Sequence, residues 1–333
     1  MRAVGAMTTR VGVLAEFIDL EPVVEDFESA VVAGLAQTPK TLPCKFFYDR
    51  LGSELFSRIC ELDAYYPTRT EIGILRRTTP RIAELAGPDC HLIEFGSGDG
   101  IKVRLLLEAM TSPTRYTAVD ISRDHLRKSA DDLARLFPDI EIAAVCADYT
   151  QPFDVPSPRV RPDAKRVGFF PGSTIGNFTP IEAVDFLKSA ADLLNGGDFV
   201  IGVDLKKDIE RLNAAYNDAE GITAAFNLNL LVRINRELGG DFDIDAFDHR
   251  AHYDARHGRI EMHLINRRAQ TVAIGDHRFS FSEGETIHTE NSYKYAIEEF
   301  QEIAASAGFR ALDSWADEDR LFSIHYLRAE GAT

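Results

Sequence analysis

Between about residues 70 and 205, short apolar runs alternate with longer stretches whose apolar residues recur every three or four positions. Runs of the first kind read as buried strands and stretches of the second kind as amphipathic helices. The strands fall at 92–95, 116–120, 140–147, 166–170 and 199–205, with helices at 101–110, 124–137 and 180–194. Pro180 suits a first helical turn, and Asn195-Gly196-Gly197 supplies a stop. This alternation predicts a doubly wound, mostly parallel sheet. After residue 205 the rhythm changes. Residues 206–237 read as two helices and 246–295 as β-hairpins, with turns near Arg256-His257-Gly258 and Gly275-Asp276. A helix at 296–308 and strands at 310–315 and 321–328 then close the pattern. Residues 206–295 are therefore an insertion at the carboxyl edge of the sheet, where open α/β folds bind ligands.

The first strand opens into Gly96, Gly98 and Gly100, and the second ends in Asp120. Glycines allow a tight turn and a close backbone approach to a cofactor, and a strand-end carboxylate can accept hydrogen bonds from ribose hydroxyls. A dinucleotide fingerprint needs its third glycine where Ile101 stands. The actual pattern, Glu94-x-Gly96-x-Gly98-x-Gly100, resembles the first motif of S-adenosylmethionine (SAM)-dependent methyltransferases. Asp148 then occupies the place where that family sets an acidic residue against the adenine amino group.

Composition narrows the field. The chain has 333 residues and a formal net charge of −16, which repels phosphate backbones and argues against a nucleic-acid substrate. Four cysteines without Cys-x-x-Cys spacing fit a reducing compartment. No apolar run reaches the ~20 residues that span a bilayer, and Glu16, Asp19 and Glu21 interrupt any signal-peptide core. A cytoplasmic protein, monomeric and without a membrane partner, is expected. His249, His252, His257 and His263 raise the question of zinc. His249 and His252 fall on opposite faces of a strand with no cysteine near, so no metal is expected.

Further segments carry unusual densities of polar and aromatic groups: Lys-Phe-Phe-Tyr-Asp at 45–49, Tyr-Tyr-Pro-Thr-Arg at 65–69, Pro-Gly-Ser-Thr-Ile-Gly-Asn at 171–177, Tyr-Asn-Asp…Phe-Asn-Leu-Asn at 216–229 and Thr-Glu-Asn-Ser-Tyr-Lys at 289–294. In the last, strand alternation puts His288, Glu290 and Ser292 on one face. From about residue 38 onward the chain resembles the histidine Nα-methyltransferases of ergothioneine biosynthesis, which trimethylate free histidine with SAM.

That resemblance implies a Rossmann-like, seven-stranded class I methyltransferase sheet with an inserted α+β substrate-binding lid, its last strand antiparallel. The SAM domain would comprise 70–205 and 296–333, and the substrate domain 41–69 and 206–295. Residues 1–40 would form a partly helical segment packed on the methyltransferase domain. Glu290 would accept an imidazole N–H and Ser292 would hydrogen-bond the ring. Tyr48 would lie near ring and cofactor, and Met262 would pack on the ring. Asn177 and Tyr216 would hold the carboxylate and ammonium region beside Tyr65 and the Gly172 backbone. Gly96, Gly98, Lys102, Asp120, Asp148 and Tyr149 would belong to the SAM site, Tyr149 standing where the family often has phenylalanine. The expected products are hercynine and S-adenosylhomocysteine. Tyr65 or solvent would take the proton of the α-ammonium; Asp204, at the end of strand five, is the nearest rival base by position and reads more simply as a strand-end residue orienting the lid. A neutral imidazole has one donor and one acceptor, so a carboxylate with a hydroxyl matches it independently of family. The alternatives are an Nα-methyltransferase for tryptophan or a derivative, and a non-catalytic SAM-binding module.

Overall fold

The computed structural model describes residues 12–20, 27–98 and 100–330, so part of the expected N-terminal segment lies outside the described residues. The chain begins with strand β1 (Glu16–Asp19), helix α1 (Phe27–Leu35), the short strand β2 (Lys40–Thr41), and helices α2 (Arg50–Glu61) and α3 (Tyr66–Ala86). The alternation follows: β3 (His91–Phe95), α4 (Ile101–Ala109), β4 (Arg115–Asp120), α5 (Arg123–Leu136), β5 (Glu141–Cys146), β6 (Arg166–Phe170), α6 (Pro180–Leu194) and β7 (Asp198–Asp204). The insertion holds α7 (Ile209–Tyr216), α8 (Ile222–Leu238), β8 (Phe247–Asp254), β9 (Arg259–Asn266), β10 (Gln270–Ile274), β11 (His277–Phe281) and β12 (Thr286–Tyr293). Helix α9 (Ile297–Ser306) and strands β13 (Phe309–Ala316) and β14 (Phe322–Ala329) complete the fold.

The central sheet has the order β1-β5-β4-β3-β6-β7-β14-β13. Only β14 runs against its neighbours, antiparallel to β7 and to β13. Strands β3 and β7 are buried along their whole length, which is why they read as mainly apolar runs, interrupted in β3 by the buried Glu94. One face of the sheet packs on α3, α4 and α5 through residues such as Ile74, Leu107 and Leu133. The other face is aromatic: Phe95, Phe170, Phe186 and Phe199 meet at ring-centroid distances of 4.6–6.4 Å. Helix α6 starts sharply because Thr179 and Glu182 cap one another's backbone N–H.

Two expectations need correction. The sheet has eight strands among the described residues, because Glu16–Asp19 pairs in parallel with β5. Four half-buried residues give no periodic signal. The strand is tied instead by buried Arg115, which reaches Glu16 at 2.6 Å and Glu141 at 2.8 Å. Second, α1 does not pack on the methyltransferase sheet: Ala30, Val31 and Leu35 enter the core of the inserted part. That core lies between α1, α2, α7, α8 and the sheet β2-β12-β9-β8. The chain leaves and re-enters the main sheet side by side, the Tyr295 N–H donating to the Asp204 carbonyl and the Lys206 N–H to the Tyr295 carbonyl. This stitch brings the end of β12 against the end of β7.

Candidate active site

The carboxyl ends of β3, β4 and β6 and the lid enclose a cavity of about 750 Å³. That is within the ~300–1,000 Å³ range of small-molecule sites. Tyr48, Tyr65, Gly96, Gly98, Lys102, Asp120, Asp148, Tyr149, Gly172, Asn177 and Glu290 all line it. Residues separated by nearly 250 positions thus share one wall.

The cofactor half is built from strand ends. After β3 the chain turns through Gly96 (φ 71°) and Gly98 (φ 44°) into Gly100 (φ 71°), which caps α4 in the left-handed region. Such conformations favour glycine. Asp120 ends β4 and accepts the Ser122 N–H at 2.8 Å, and burial holds its carboxyl above the usual range. Asp148 accepts both the N–H and the hydroxyl of Thr150, at 2.9 and 2.6 Å. Tyr149 stands edge-on to Phe95, Phe170 and Phe186, so its ring fills the place of a phenylalanine. The glycine turn and the two strand-end carboxylates on one cavity fit an adenosine-bearing cofactor.

A residue that sequence reasoning missed organises the loop after β6. Glu71, fully buried on α3, accepts the Gly172 N–H at 2.9 and 3.0 Å and pairs with Lys102 at 2.6 Å. The Gly172 amide is therefore used by protein, which leaves its carbonyl for a ligand. Glu71 fits only because position 202 is glycine: a Cβ there would lie 2.2 Å from its Oε1. The signal was available, since Glu71 lies on the same helical face as Ile74, Leu75 and Thr78. Asn177 ends a 3-10 turn (Thr174–Asn177) pressed against β12, where a side chain at Gly176 would meet the Tyr293 carbonyl at 2.7 Å.

The lid half differs from the expectation in three ways. A bulge at Thr289 shifts the register of β12, so Glu290 pairs with Met262 while His288 pairs with His263. Glu290 and Ser292 keep one face, but the His288 ring turns to the other, where it stacks on His263 at 4.9 Å. Met262 is fully buried in the lid core behind Glu290 and off the cavity wall. Ser292, on the Glu290 face of β12, and Tyr216, edge-on to Tyr65, are buried beside the lining, their hydroxyls 2.8 Å apart and both held by buried Lys294. Lys294 in turn pairs with Asp204 at 2.8 Å. Asp204 also takes Lys207 and the Tyr66 hydroxyl, and against its burial the charges of Lys294 and Lys207 keep its carboxyl below the usual range. An aspartate so occupied anchors the lid.

Glu290 stands apart from these pairs. Among the described residues no side chain hydrogen-bonds to its carboxylate or pairs with it; burial pushes it up to about 7, opposed by the charge of Lys294. A desolvated acceptor on a cavity wall is complementary to a ligand N–H. Elsewhere on the lid, His252, Glu261 and His263 bring ligand atoms within 4.8 Å of one another. The two imidazoles stack at 5.4 Å with planes 25° apart, so their in-plane lone pairs run side by side and do not converge on one ion. Among the described residues no helix is long and apolar enough to cross a membrane.

Comparison with known proteins adds the following. The family described as "Histidine-specific methyltransferase, SAM-dependent" matches residues 27–329. A histidine N-alpha-methyltransferase of Mycolicibacterium smegmatis is 42% identical over 310 residues, 91% of this chain and 95% of that one. A protein of the same description from Mycobacterium tuberculosis is 41% identical over 301 residues, 88% of this chain and 92% of the other. Ergothioneine biosynthesis protein 1 of Neurospora crassa is 32% identical over 297 residues, which cover 87% of this chain and a 33% share of that longer protein.

Proposed function

The chain belongs to the SAM-dependent, histidine-specific methyltransferase family, and from that premise we propose that it trimethylates the α-nitrogen of free L-histidine, yielding hercynine in the first step of ergothioneine biosynthesis. The observation that carries this reading is the unpaired Glu290 carboxylate on the cavity that also holds the glycine turn, Asp120 and Asp148.

Bound SAM supplies a sulfonium methyl as electrophile, and S-adenosylhomocysteine leaves. Gly96, Gly98, Lys102, Asp120, Asp148 and Tyr149 hold the nucleoside end. Glu290 accepts the imidazole N–H and so orients the substrate. Asn177 and Tyr65, on the same wall, contact the amino-acid end, with Tyr48 alongside the ring. Ser292 and Tyr216 form the hydrogen-bonding floor beneath. The task of these groups is alignment and exclusion of water, because the methyl donor is already activated. Hydrogen bonding by Asn177 and Tyr65, in place of a carboxylate clamp, lets the amine stay in reach as it grows bulkier, and solvent takes its proton, directly or relayed through the neutral Tyr65 hydroxyl.

Mass spectrometry of histidine incubated with the protein and SAM tests the proposal: three added methyl groups on the α-nitrogen are expected, and none on tryptophan. Glu290→Ala is expected to weaken histidine binding far more than S-adenosylhomocysteine binding. Methylation of tryptophan in preference to histidine would overturn the substrate, and no transfer to any amino acid would overturn the enzyme reading.

A further inference from the structure

Lys294 is 2% exposed and sits under the floor of the cavity. A lysine ammonium has three N–H donors and no acceptor. All three are placed here: on Asp204 at 2.8 Å, on the Ser292 hydroxyl at 2.7 Å and on the Tyr216 hydroxyl at 2.9 Å. Both hydroxyl oxygens must therefore accept from it. One hydroxyl proton then bridges the 2.8 Å gap between Tyr216 and Ser292. The other proton of the pair is left to donate toward a ligand.

The charges lead to the same place. Two buried cations, Lys207 and Lys294, pair with Asp204, and Asp317 adds a further negative charge on the Lys207 side. Burial brings Lys207 down to about 8, whereas Asp204 holds Lys294 above its ordinary range. On the cavity side the Lys294 charge acts on Glu290 and opposes the effect of its burial. The other titratable groups facing Glu290 are Cys44, Tyr48, Tyr65 and Tyr216, all pushed upward by burial and so uncharged near neutrality. The His288 ring is engaged by the Glu290 carbonyl, through Nε2, and by Asn291, and burial holds it below its ordinary range and so neutral.

Resting on the histidine reading, we propose that Lys294 is the positioning residue that makes the pocket read a neutral imidazole. It favours the ionised form of Glu290, the acceptor for the ring N–H, and it fixes the hydroxyls of Ser292 and Tyr216 so that one remains a donor for the bare ring nitrogen. A protonated imidazole, with two donors, then leaves that hydroxyl proton facing an N–H.

The test compares wild type with Lys294→Met, Lys294→Gln and Lys294→Arg by the pH profile of kcat/KM for histidine, with S-adenosylhomocysteine binding as the check on folding. Loss of the cation raises the Glu290 carboxyl further. Met and Gln should then shift the acid limb upward by about one pH unit and raise the histidine KM at pH 7 roughly tenfold, with a smaller change in kcat. Arg should keep the limb in place. The substrate's own ionisations are common to all four proteins and cancel. In a Glu290→Gln background, Lys294→Gln should leave the limb unmoved, which a merely structural role would not produce. An unshifted limb in Lys294→Gln with histidine KM within threefold of wild type overturns the proposal, and so does an equal shift in the Glu290→Gln background. If wild type fails to methylate histidine at all, it is the substrate reading that falls.

Discussion

Replacing Glu290 by glutamine should make the ligand-free protein more stable while impairing its chemistry, and the effect should depend on pH with a definite sign. Burial raises the Glu290 carboxyl from its ordinary 4.5 to about 7. The folded state therefore binds this proton more tightly than the unfolded state. Below pH 4.5 the acid is neutral in both states and costs nothing. Stability is lost as pH rises from 4.5 to 7, and the full penalty is present above 7. The interval corresponds to an upper bound of about 3 kcal/mol at 1.36 kcal/mol per pH unit. Water in the cavity screens the carboxylate, so about 2 kcal/mol is the expected size. Glutamine keeps the shape and removes the charge. Urea unfolding of both ligand-free proteins at pH 4.5, 6, 7 and 8 measures the difference. The variant should be about 2 kcal/mol more stable at pH 8 and indistinguishable at pH 4.5. Histidine should stabilise the wild type much more than the variant. Equal stability of the two proteins across this range, or a less stable variant at pH 8, would refute the claim that Glu290 is desolvated without a partner.

Two substitutions probe the cofactor half. Asp120→Ala removes a charged acceptor at the end of β4, and calorimetry should show S-adenosylhomocysteine binding weakened by about 2–3 kcal/mol, roughly 30–150-fold, with an unchanged affinity refuting its role. Gly202→Ala drives a Cβ to 2.2 Å from the Glu71 carboxylate that holds the Gly172 amide and Lys102; it should cost about 1–3 kcal/mol in thermal unfolding and weaken cofactor binding. Gly73→Ala, in the same helix as Glu71 with no contact closer than 3.9 Å, is the control. It should be neutral or stabilising by about 0.5 kcal/mol.

The alternation of β3 to β7 with α4 to α6 was readable because parallel strands covered on both faces are mainly apolar, and that constraint is local to each run. For the same reason Asp120 and Asp148 could be placed at strand ends without knowing the fold. The bulge at Thr289 was not readable. It is a property of the pairing between β12 and β9, and strict alternation within β12 alone misassigns His288. Strand β1 escaped because four half-buried residues carry no period; their place depends on a buried arginine 99 positions away. Tyr216, Ser292 and Met262 came from motif resemblance, which identifies neighbours of the site without saying which side of its wall they occupy.

Buried charge was the least legible feature. Glu71, Asp204 and Lys294 are spelled like surface residues, and only the tertiary structure shows that each is enclosed. Their placement has a common logic. Glu71 joins α3 to the loop after β6 and to α4, and Asp204 joins the end of β7 to the end of β12 and to Lys207. Both carboxylates sit where the sheet meets a ligand-bearing segment. Set against an apolar replacement such pairs add little stability, yet removing one partner costs about 3–5 kcal/mol. An apolar contact tolerates sliding, whereas an ammonium with three assigned donors accepts one geometry. The orientation of the lid over the cofactor half is therefore set by direction-dependent contacts at the Asp204–Lys294 crossing. The charge of the same lysine also acts on the Glu290 carboxyl, so lid position and the charge state of Glu290 are coupled through one side chain.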